Sequence, residues 1–258
     1  MNLYIHDVDD AQIVRADTLR DPKFVDNLGK LRTFDVVIAN PPFSLKEWGH
    51  ENWATDPHRR SEYGGVPPKN QGDYAWVQHM LASASPDGGR GGGGMPHGVL
   101  FRSGAEAKIR QHLIESDLLE AVIGLPTNLF YGTSIPACLL ILRKTKNAET
   151  AGKVRIIDGS KRFVAGRAQN SLSDQDVAAL FEAYTATDAE IENVKQTVVD
   201  VAEIEANGWD LNIGRYIEQD AAEIIDTAEA LKALRQAEQN TAEAQAAMDE
   251  RLKAAGYA

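Results

Sequence analysis

The chain has 258 residues, of which 43% are hydrophobic and 25% are charged, and its formal net charge is −11. This composition is typical of a globular protein, and the length suffices for one large or two smaller domains. We find no apolar run long enough to span a bilayer and no charged-then-apolar leader, so we expect a cytoplasmic protein. The single cysteine, Cys138, lies in an apolar run and is expected to be a buried core residue.

The negative charge is concentrated in the last third of the chain. Residues 169–258 hold 6 Lys and Arg against 19 Asp and Glu, whereas residues 1–168 hold 21 against 19. The near-neutral first part also has a basic cluster, formed by Lys46, His58, Arg59, Arg60 and Lys69. Phosphate contact and ordinary solvated charge are equally open for this cluster. The charge does not exclude a nucleic-acid ligand if a partner subunit supplies the basic surface.

Two short strands are predicted near the start of the chain. The first covers residues 12–16 and ends before Asp17, a residue type that usually caps turns. The second covers residues 35–39, an apolar run rich in β-branched residues that predicts a buried core strand. In open α/β sheets, ligands bind at the carboxyl ends of such strands.

The second strand stops at Asn40-Pro41-Pro42-Phe43, because neither proline has an N–H to donate. This combination suits chemistry on the exocyclic amine of adenine, whose lone pair is delocalised into the ring. The Asn40 side-chain oxygen and the Pro41 carbonyl can accept the two N–H bonds and free that lone pair for attack. Phe43 offers a flat face to a base swung out of its duplex. The alternative interpretation is a plain strand-ending turn.

The middle of the chain contains one long loop, one glycine run and several regular elements. Residues 44–72 are polar and contain two tryptophans, which predicts either a lid or a loop packed on the body. Residues 88–94 match a G-x-G-x-x-G pattern, but we interpret them as a turn, because a predicted helix precedes them and a predicted strand follows. The other predicted elements are a helix from Asp73, a strand at 98–101, a helix over 102–116, and strands at 121–124, 137–142 and 153–158.

The last third is predicted to be helical. Residues 173–206 alternate acidic and small apolar residues at helical spacing, and residues 219–255 run without Gly or Pro. A stripe of apolar residues along the second segment predicts a long helix that packs on another helix, either of a partner or of the chain itself. The histidines are scattered, with no pair at metal-ligand spacing, so no metal site is expected.

Most of the chain resembles the modification subunits of type I restriction–modification systems, which are adenine-N6 DNA methyltransferases. The resemblance covers roughly residues 1–220. It rests on the ordered segments 'DTLRDPKF', 'FDVVIANPPFS', 'QGDYAWVQHML', 'MPHGVLFR', 'LPTNLFYGTSIPACLLIL', 'VRIIDGSKRF' and 'NGWDLNIGRYIE'.

The resemblance implies an α/β fold, with a partial S-adenosylmethionine-dependent, Rossmann-like methyltransferase sheet over residues 1–168. Residues 169–258 would form an acidic helical tail that docks on a specificity subunit. Asn40, Pro41, Pro42 and Phe43 would form the catalytic motif, and Asp17 would contact the adenine ring of S-adenosylmethionine. The implied partners are DNA, the specificity and restriction subunits, and a second modification subunit. The specificity subunit would read the DNA sequence.

One departure from the family pattern bears on activity. The helical N-terminal domain and the glycine-bearing turn that cradles the cofactor would precede Met1, so the chain resembles a C-terminal portion. We therefore expect an unpaired sheet edge beside the motif strand. The alternative function is a truncated, non-catalytic remnant that acts only as a subunit-interaction module. A third candidate, methylation of glutamine amides in a related motif, fits the segments beyond residue 70 less well.

Overall fold

The computed structural model describes residues 5–8, 10–186, 189–218 and 227–257. They belong to two compact units, residues 1–217 and residues 218–258. The first unit is built on a six-stranded sheet, and the second contains one long helix. No described helix is both long and apolar enough to cross a membrane.

The sheet is mixed. Its strands are β1 (Val36–Ala39), β2 (Arg90–Pro96), β3 (Leu119–Gly124), β4 (Ala137–Arg143), β5 (Lys153–Asp158) and β6 (Lys195–Asp200), in the spatial order β1-β2-β4-β3-β5-β6. The pairs β1–β2 and β3–β5 are parallel, and the other three pairs are antiparallel. The carboxyl ends of β1, β2, β3 and β5 therefore lie at the same edge of the sheet. This α/β architecture confirms the predicted fold class.

Six α-helices and three short 3-10 helices accompany the strands in the described residues. The α-helices are α1 (His50–Trp53), α2 (Asp73–Ser83), α3 (Ala105–Glu115), α4 (Asp174–Thr185), α5 (Val201–Ala206) and α6 (Thr227–Ala254). The 3-10 helices cover Arg60–Glu62, His97–Leu100 and Ile213–Arg215. Helix α4 begins with a complete capping box, in which Ser173 and Asp176 each bond the other's backbone N–H.

Each face of the sheet buries a separate core. Helices α2 and α3 pack on one face, where Met80 and Ile109 belong to one core with strand residues such as Val122 and Leu140. Helix α4 packs on the other face, over Ile123 and Ile157. Successive strand residues point to opposite faces, so the alternating apolar positions of β3, β4 and β5 supply both cores. Cys138 is buried in the first core, as predicted.

The long loop after β1 packs on the body of the protein. Trp48 and Trp53 are each 2% exposed and form a third small core with Leu19 and Ala75. The two indole rings meet edge to face, with centroids 5.0 Å apart. Of the two alternatives for residues 44–72, the structure favours the packed loop.

The motif strand lies at the edge of the sheet, which corrects the prediction of a buried core strand. Within the described residues, β1 pairs only with β2. Val36 is 53% and Ile38 is 80% exposed, while Val37 and Ala39 pack on the first core. The expected open edge beside the motif is therefore present. The predicted strand at 12–16 is absent, and Ile13 is exposed there without a ladder partner.

Most of the glycine run is a strand. Gly88 lies in a turn as predicted, but residues 90–94, which were also predicted as a turn, belong to β2. The four glycines of β2, residues 91–94, all pair with β4, and the first three of them also pair with β1 on the other side. Backbone pairing to two neighbours outweighs the low strand propensity of glycine. A Cβ on Gly93 would lie 2.7 Å from Met80 Cε, so helix α2 approaches this strand more closely than a side chain would allow.

Two further secondary-structure predictions differ from the structure. Residues 98–101 do not form a strand, because the Gly98 carbonyl accepts the N–H groups of Phe101 and Arg102 in a helical turn. Residues 173–206 are not continuously helical, since β6 pairs with β5 and extends the sheet. The compact unit that contains the sheet extends to residue 217, whereas the predicted methyltransferase domain covers residues 1–168. The predicted helix over 219–255 is described from Thr227, and its start lies outside the described residues.

Candidate active site

Asn40 comes directly after Ala39, the last residue of β1, and so lies at the carboxyl edge of the sheet. It lies against the neighbouring strand, because a Cβ added to Gly94 would be 3.0 Å from Asn40 Oδ1. Beside it opens a groove of about 590 Å³. Its lining is apolar apart from Asn40 and comes from Ile38, Ala39, Gly92, Gly93, Gly94, Phe130, Leu139 and Ile141. An amide oxygen therefore stands at the end of an apolar groove.

The ring of Phe43 meets the ring of Phe130, with centroids 5.3 Å apart and planes at 67°. Phe130 lies in the loop between β3 and β4 and also lines the groove beside Asn40. Phe130 was not among the site residues predicted from the sequence. Its loop follows β3 and lies at the same sheet edge as Asn40, and this position could have indicated Phe130 as a site residue.

A buried ion network holds the chain directly after the motif. The Asp73 carboxylate, which is 1% exposed, accepts the Ser44 N–H at 2.7 Å and the Arg102 guanidinium at 2.8 Å. Arg102 also pairs with Glu106 at 3.3 Å. Burial raises the pKa of the Glu106 carboxyl, while the adjacent Arg102 charge acts in the opposite direction. The first turn of α2 thus orients the backbone that follows Phe43.

Asp17 lies in a turn and not at the tip of a strand. One oxygen of its carboxylate accepts the N–H groups of Leu19 and Arg20, at 3.1 and 3.0 Å. The other oxygen lies 3.6 Å from the Arg20 guanidinium, and the side chain is 48% exposed. Asp17 therefore caps this turn through one carboxylate oxygen, and the other oxygen pairs with Arg20.

Arg60 connects the turn at Asp17 to the packed loop. Its guanidinium is 2% exposed, pairs with Asp56 at 2.8 Å and donates to the carbonyls of Thr18 and Leu19. It also lies 4.1 Å from the centroid of the Trp53 ring. The Arg60 guanidinium is therefore buried and fully engaged in contacts within the protein. Of the two interpretations of the basic cluster, phosphate contact does not apply to this residue.

His79 contacts the same buried cation. Its Nδ1 lies 3.2 Å from the Arg60 guanidinium. Burial, and then the nearby positive charge of Arg60, lower the pKa of His79 from 6.5 to about 4. The imidazole is therefore neutral at pH 7. No group of three or more potential metal ligands occurs among the described residues.

The sequence is similar to those of a known protein family and of several methylase subunits. The model of the N-6 DNA methylase family matches residues 1–224. The chain is 36% identical over 227 residues to the type I restriction enzyme MjaVII methylase subunit of Methanocaldococcus jannaschii, covering 84% of this chain and 38% of the relative. It is 30% identical over 276 residues to the HindI methylase subunit of Haemophilus influenzae, covering 100% of this chain and 58% of the relative.

The fold is also similar to that of solved structures. The methyltransferase subunit of a type I restriction–modification system from Streptococcus thermophilus superposes with a TM-score of 0.74 at 35% identity. The match covers 84% of this chain and 45% of that one. Like the two sequence relatives, this structure is much longer than the present chain, which spans 38% to 58% of its relatives' lengths.

Proposed function

The chain belongs to the N-6 DNA methylase family, and from this membership we propose that it is the methyltransferase part of a type I modification subunit. The reaction is transfer of a methyl group from S-adenosylmethionine to the 6-amino nitrogen of an adenine in DNA. The observation that carries the proposal is Asn40 at the carboxyl end of β1, with the paired rings of Phe43 and Phe130 beside the same groove.

Asn40 and Pro41 act on the adenine amine. The Asn40 side-chain oxygen and the Pro41 carbonyl accept its two N–H bonds, which favours the tetrahedral nitrogen whose lone pair is free to attack. Pro41 and Pro42 restrict the backbone, and the Asp73 bond to Ser44 holds its continuation. The acceptors are therefore oriented before the substrate arrives, which is how fixed dipoles lower a barrier.

Phe43 and Phe130 receive the base. An adenine inside a duplex is out of reach of Asn40, so the nucleotide must be extruded from the stack. Stacking on an aromatic ring contributes about 1–3 kcal/mol per base. The Phe43–Phe130 contact would open to admit the adenine, whose ring then contacts both phenyl groups.

Asp17 holds the cofactor. When bound, S-adenosylmethionine supplies the electrophilic methyl group. The Asp17 oxygen that faces Arg20 suits an N–H donor such as the amino group of the cofactor's adenine, because the other oxygen accepts the backbone N–H groups of the turn. Arg60 keeps that turn in place through the Thr18 and Leu19 carbonyls.

The proposed partners are DNA, the specificity and restriction subunits, and a second modification subunit. Helix α6 of the second unit supports the docking role. Its apolar side chains Leu231, Leu234, Met248 and Leu252 are 39–55% exposed, at spacings that place them along one stripe. This observation also favours the second candidate function, a subunit-interaction module that docks without catalysing methyl transfer.

Calorimetric titration with S-adenosylmethionine tests the proposal. Saturable binding that Asp17→Asn weakens, and that the control Asp21→Asn leaves unchanged, supports the cofactor role. Asp21 is an exposed residue of the same segment. The absence of binding by a chain with a folded circular-dichroism spectrum would contradict methyl transfer by this chain alone and would support the docking function.

Transfer of labelled methyl groups to DNA, in the presence of the partner subunits, tests Asn40. Loss of one fixed polar group in an active site costs roughly 100-fold or more in rate, so Asn40→Ala should lower methyl transfer by that factor. Asn52→Ala, on the exposed side of α1, is the control. Label in protein instead of DNA would favour the glutamine-amide alternative.

A further inference from the structure

A second groove lies at the opposite end of the strands from Asn40. Its volume is about 780 Å³, and it runs from the first residue of β2, across the start of β5, to helix α4. We call it the basic groove. Four of the side chains that line it are cationic, namely Arg90, Arg143, Lys153 and Arg155. Two are anionic, Glu120 and Glu149, so the lining is positive although the chain carries −11.

Two of the cations lie directly opposite each other on neighbouring strands. Arg90 on β2 is the direct partner of Arg143 on β4. Like charges at directly opposed positions of an antiparallel pair destabilise the sheet. Arg143 is compensated, because Glu120 lies 2.8 Å from its Nε. Among the described residues, no hydrogen bond or ion pair involves the Arg90 side chain, which is exposed.

In the second pair of cations, Arg155 and Lys153, one side chain likewise has partners and the other has none among the described residues. Arg155 is held by the carbonyls of Ala183 and Ala186 and by Gln196 Oε1, at 3.3, 2.6 and 2.8 Å. Lys153, two residues earlier on β5, points to the same face of the sheet. Its ammonium has no partner within the described part of the chain. Arg155, held only by neutral acceptors, is thus a fixed positive charge, whereas Arg143 is neutralised by Glu120 and, as far as the structure describes the chain, Arg90 and Lys153 are free.

An aromatic side chain borders the groove. Phe181 of α4 lines it and is 64% exposed, and its ring lies 6.5 Å from that of Tyr184. A flat apolar ring beside uncompensated cations matches a ligand that combines phosphate with a base. Because this groove is remote from Asn40 along the strands, it is separate from the proposed methyl-transfer site.

We propose that the basic groove binds the phosphate groups of a nucleotide or of a nucleic-acid strand. Arg90 and Lys153 are the direct ligands, Arg155 supplies a fixed positive charge beside them, and Phe181 contacts the attached base. Glu149, the carboxylate of the groove that has no cationic partner among the described residues, opposes the anion.

Calorimetric titration of the full chain with pyrophosphate, ADP and a short single-stranded oligothymidylate tests the proposal. We expect pyrophosphate to bind, and to bind about tenfold more weakly when Arg90→Gln and Lys153→Gln are combined, a loss of about 1.4 kcal/mol. The matched control combines Lys30→Gln and Lys108→Gln, two exposed lysines outside the groove. Tighter binding of ADP than of the oligonucleotide identifies a free nucleotide as ligand, and the reverse identifies a strand.

Glu149→Gln provides an independent variant, which should tighten pyrophosphate binding because it removes the opposing charge. If circular dichroism shows that the double variant does not fold, the Glu149→Gln result decides the outcome. The proposal is overturned if none of the three probes binds, if the two double variants bind equally, or if Glu149→Gln leaves the affinity unchanged. None of these results depends on methyl transfer or on S-adenosylmethionine.

Discussion

The Asp73 carboxylate accepts a 2.7 Å hydrogen bond from the backbone N–H of Ser44. This bond joins the first turn of α2 to the residue that follows the Asn-Pro-Pro-Phe motif. The same carboxylate pairs with Arg102 at 2.8 Å, so a buried charge network orients the chain beside the candidate active site. The geometry of the motif therefore depends on residues that the motif does not contain.

Asp73→Ala should lower the free energy of unfolding by about 2–3 kcal/mol, because charge-assisted hydrogen bonds are lost and Arg102 keeps only Glu106 as a partner. Urea denaturation followed by circular dichroism measures the change. Asp87→Ala, at an exposed position, is the control and should change stability by less than about 0.5 kcal/mol. Equal effects of the two substitutions would show that the network does not stabilise the fold.

Phe130→Ala should weaken binding of DNA that carries an unpaired target adenine by about tenfold, because one aromatic contact with the extruded base is lost. Fluorescence anisotropy with the partner subunits present measures this affinity. The control is Phe163→Ala, a phenylalanine that is 41% exposed. The idea fails if Phe130→Ala binds the unpaired adenine as tightly as the Phe163 variant does.

The neutral His79 makes stability depend on pH. Its pKa falls from 6.5 to about 4 on folding, so the unfolded chain binds more protons between these values and stability is lost as pH decreases through this window. At about 1.4 kcal/mol per pKa unit, the full effect is about 3 kcal/mol below pH 4 relative to pH 7. Urea unfolding of the wild type and of His79→Gln should show a flatter pH profile for the variant. Parallel profiles would contradict the assignment.

The exposed edge at β1 should promote self-association. Ile38 is 80% exposed on a strand whose outer side has no ladder partner among the described residues, and such edges template pairing with other chains. Ile38→Thr should reduce oligomer formation, as measured by light scattering at increasing protein concentration. Ile13→Thr changes the same residue type at 77% exposure outside any strand, and should have no effect. Similar behaviour of both variants would exclude the edge as the cause.

Elements with a clear apolar pattern were predictable. The helical spacing of Val77, Met80 and Leu81 predicts α2, and β3, β4 and β5 come from apolar runs that the sheet buries. β2 was missed because glycines have little intrinsic preference for a strand, and this run becomes a strand through backbone pairing with neighbours that are distant in sequence. β6 was missed for a different reason: Thr197, Val198 and Val199 favour a strand, but the acidic and small apolar residues around them were interpreted as helical.

The sequence by itself determined the chemical character of the candidate site, because Asn40, two prolines and Phe43 are consecutive and end an apolar strand. It also carried the family membership, through segments spread along the chain. Only the tertiary structure decided that Phe130 meets Phe43 and that Arg90 opposes Arg143. Each of these depends on the order and register of the strands, which arise from pairing between distant segments and not from any local pattern.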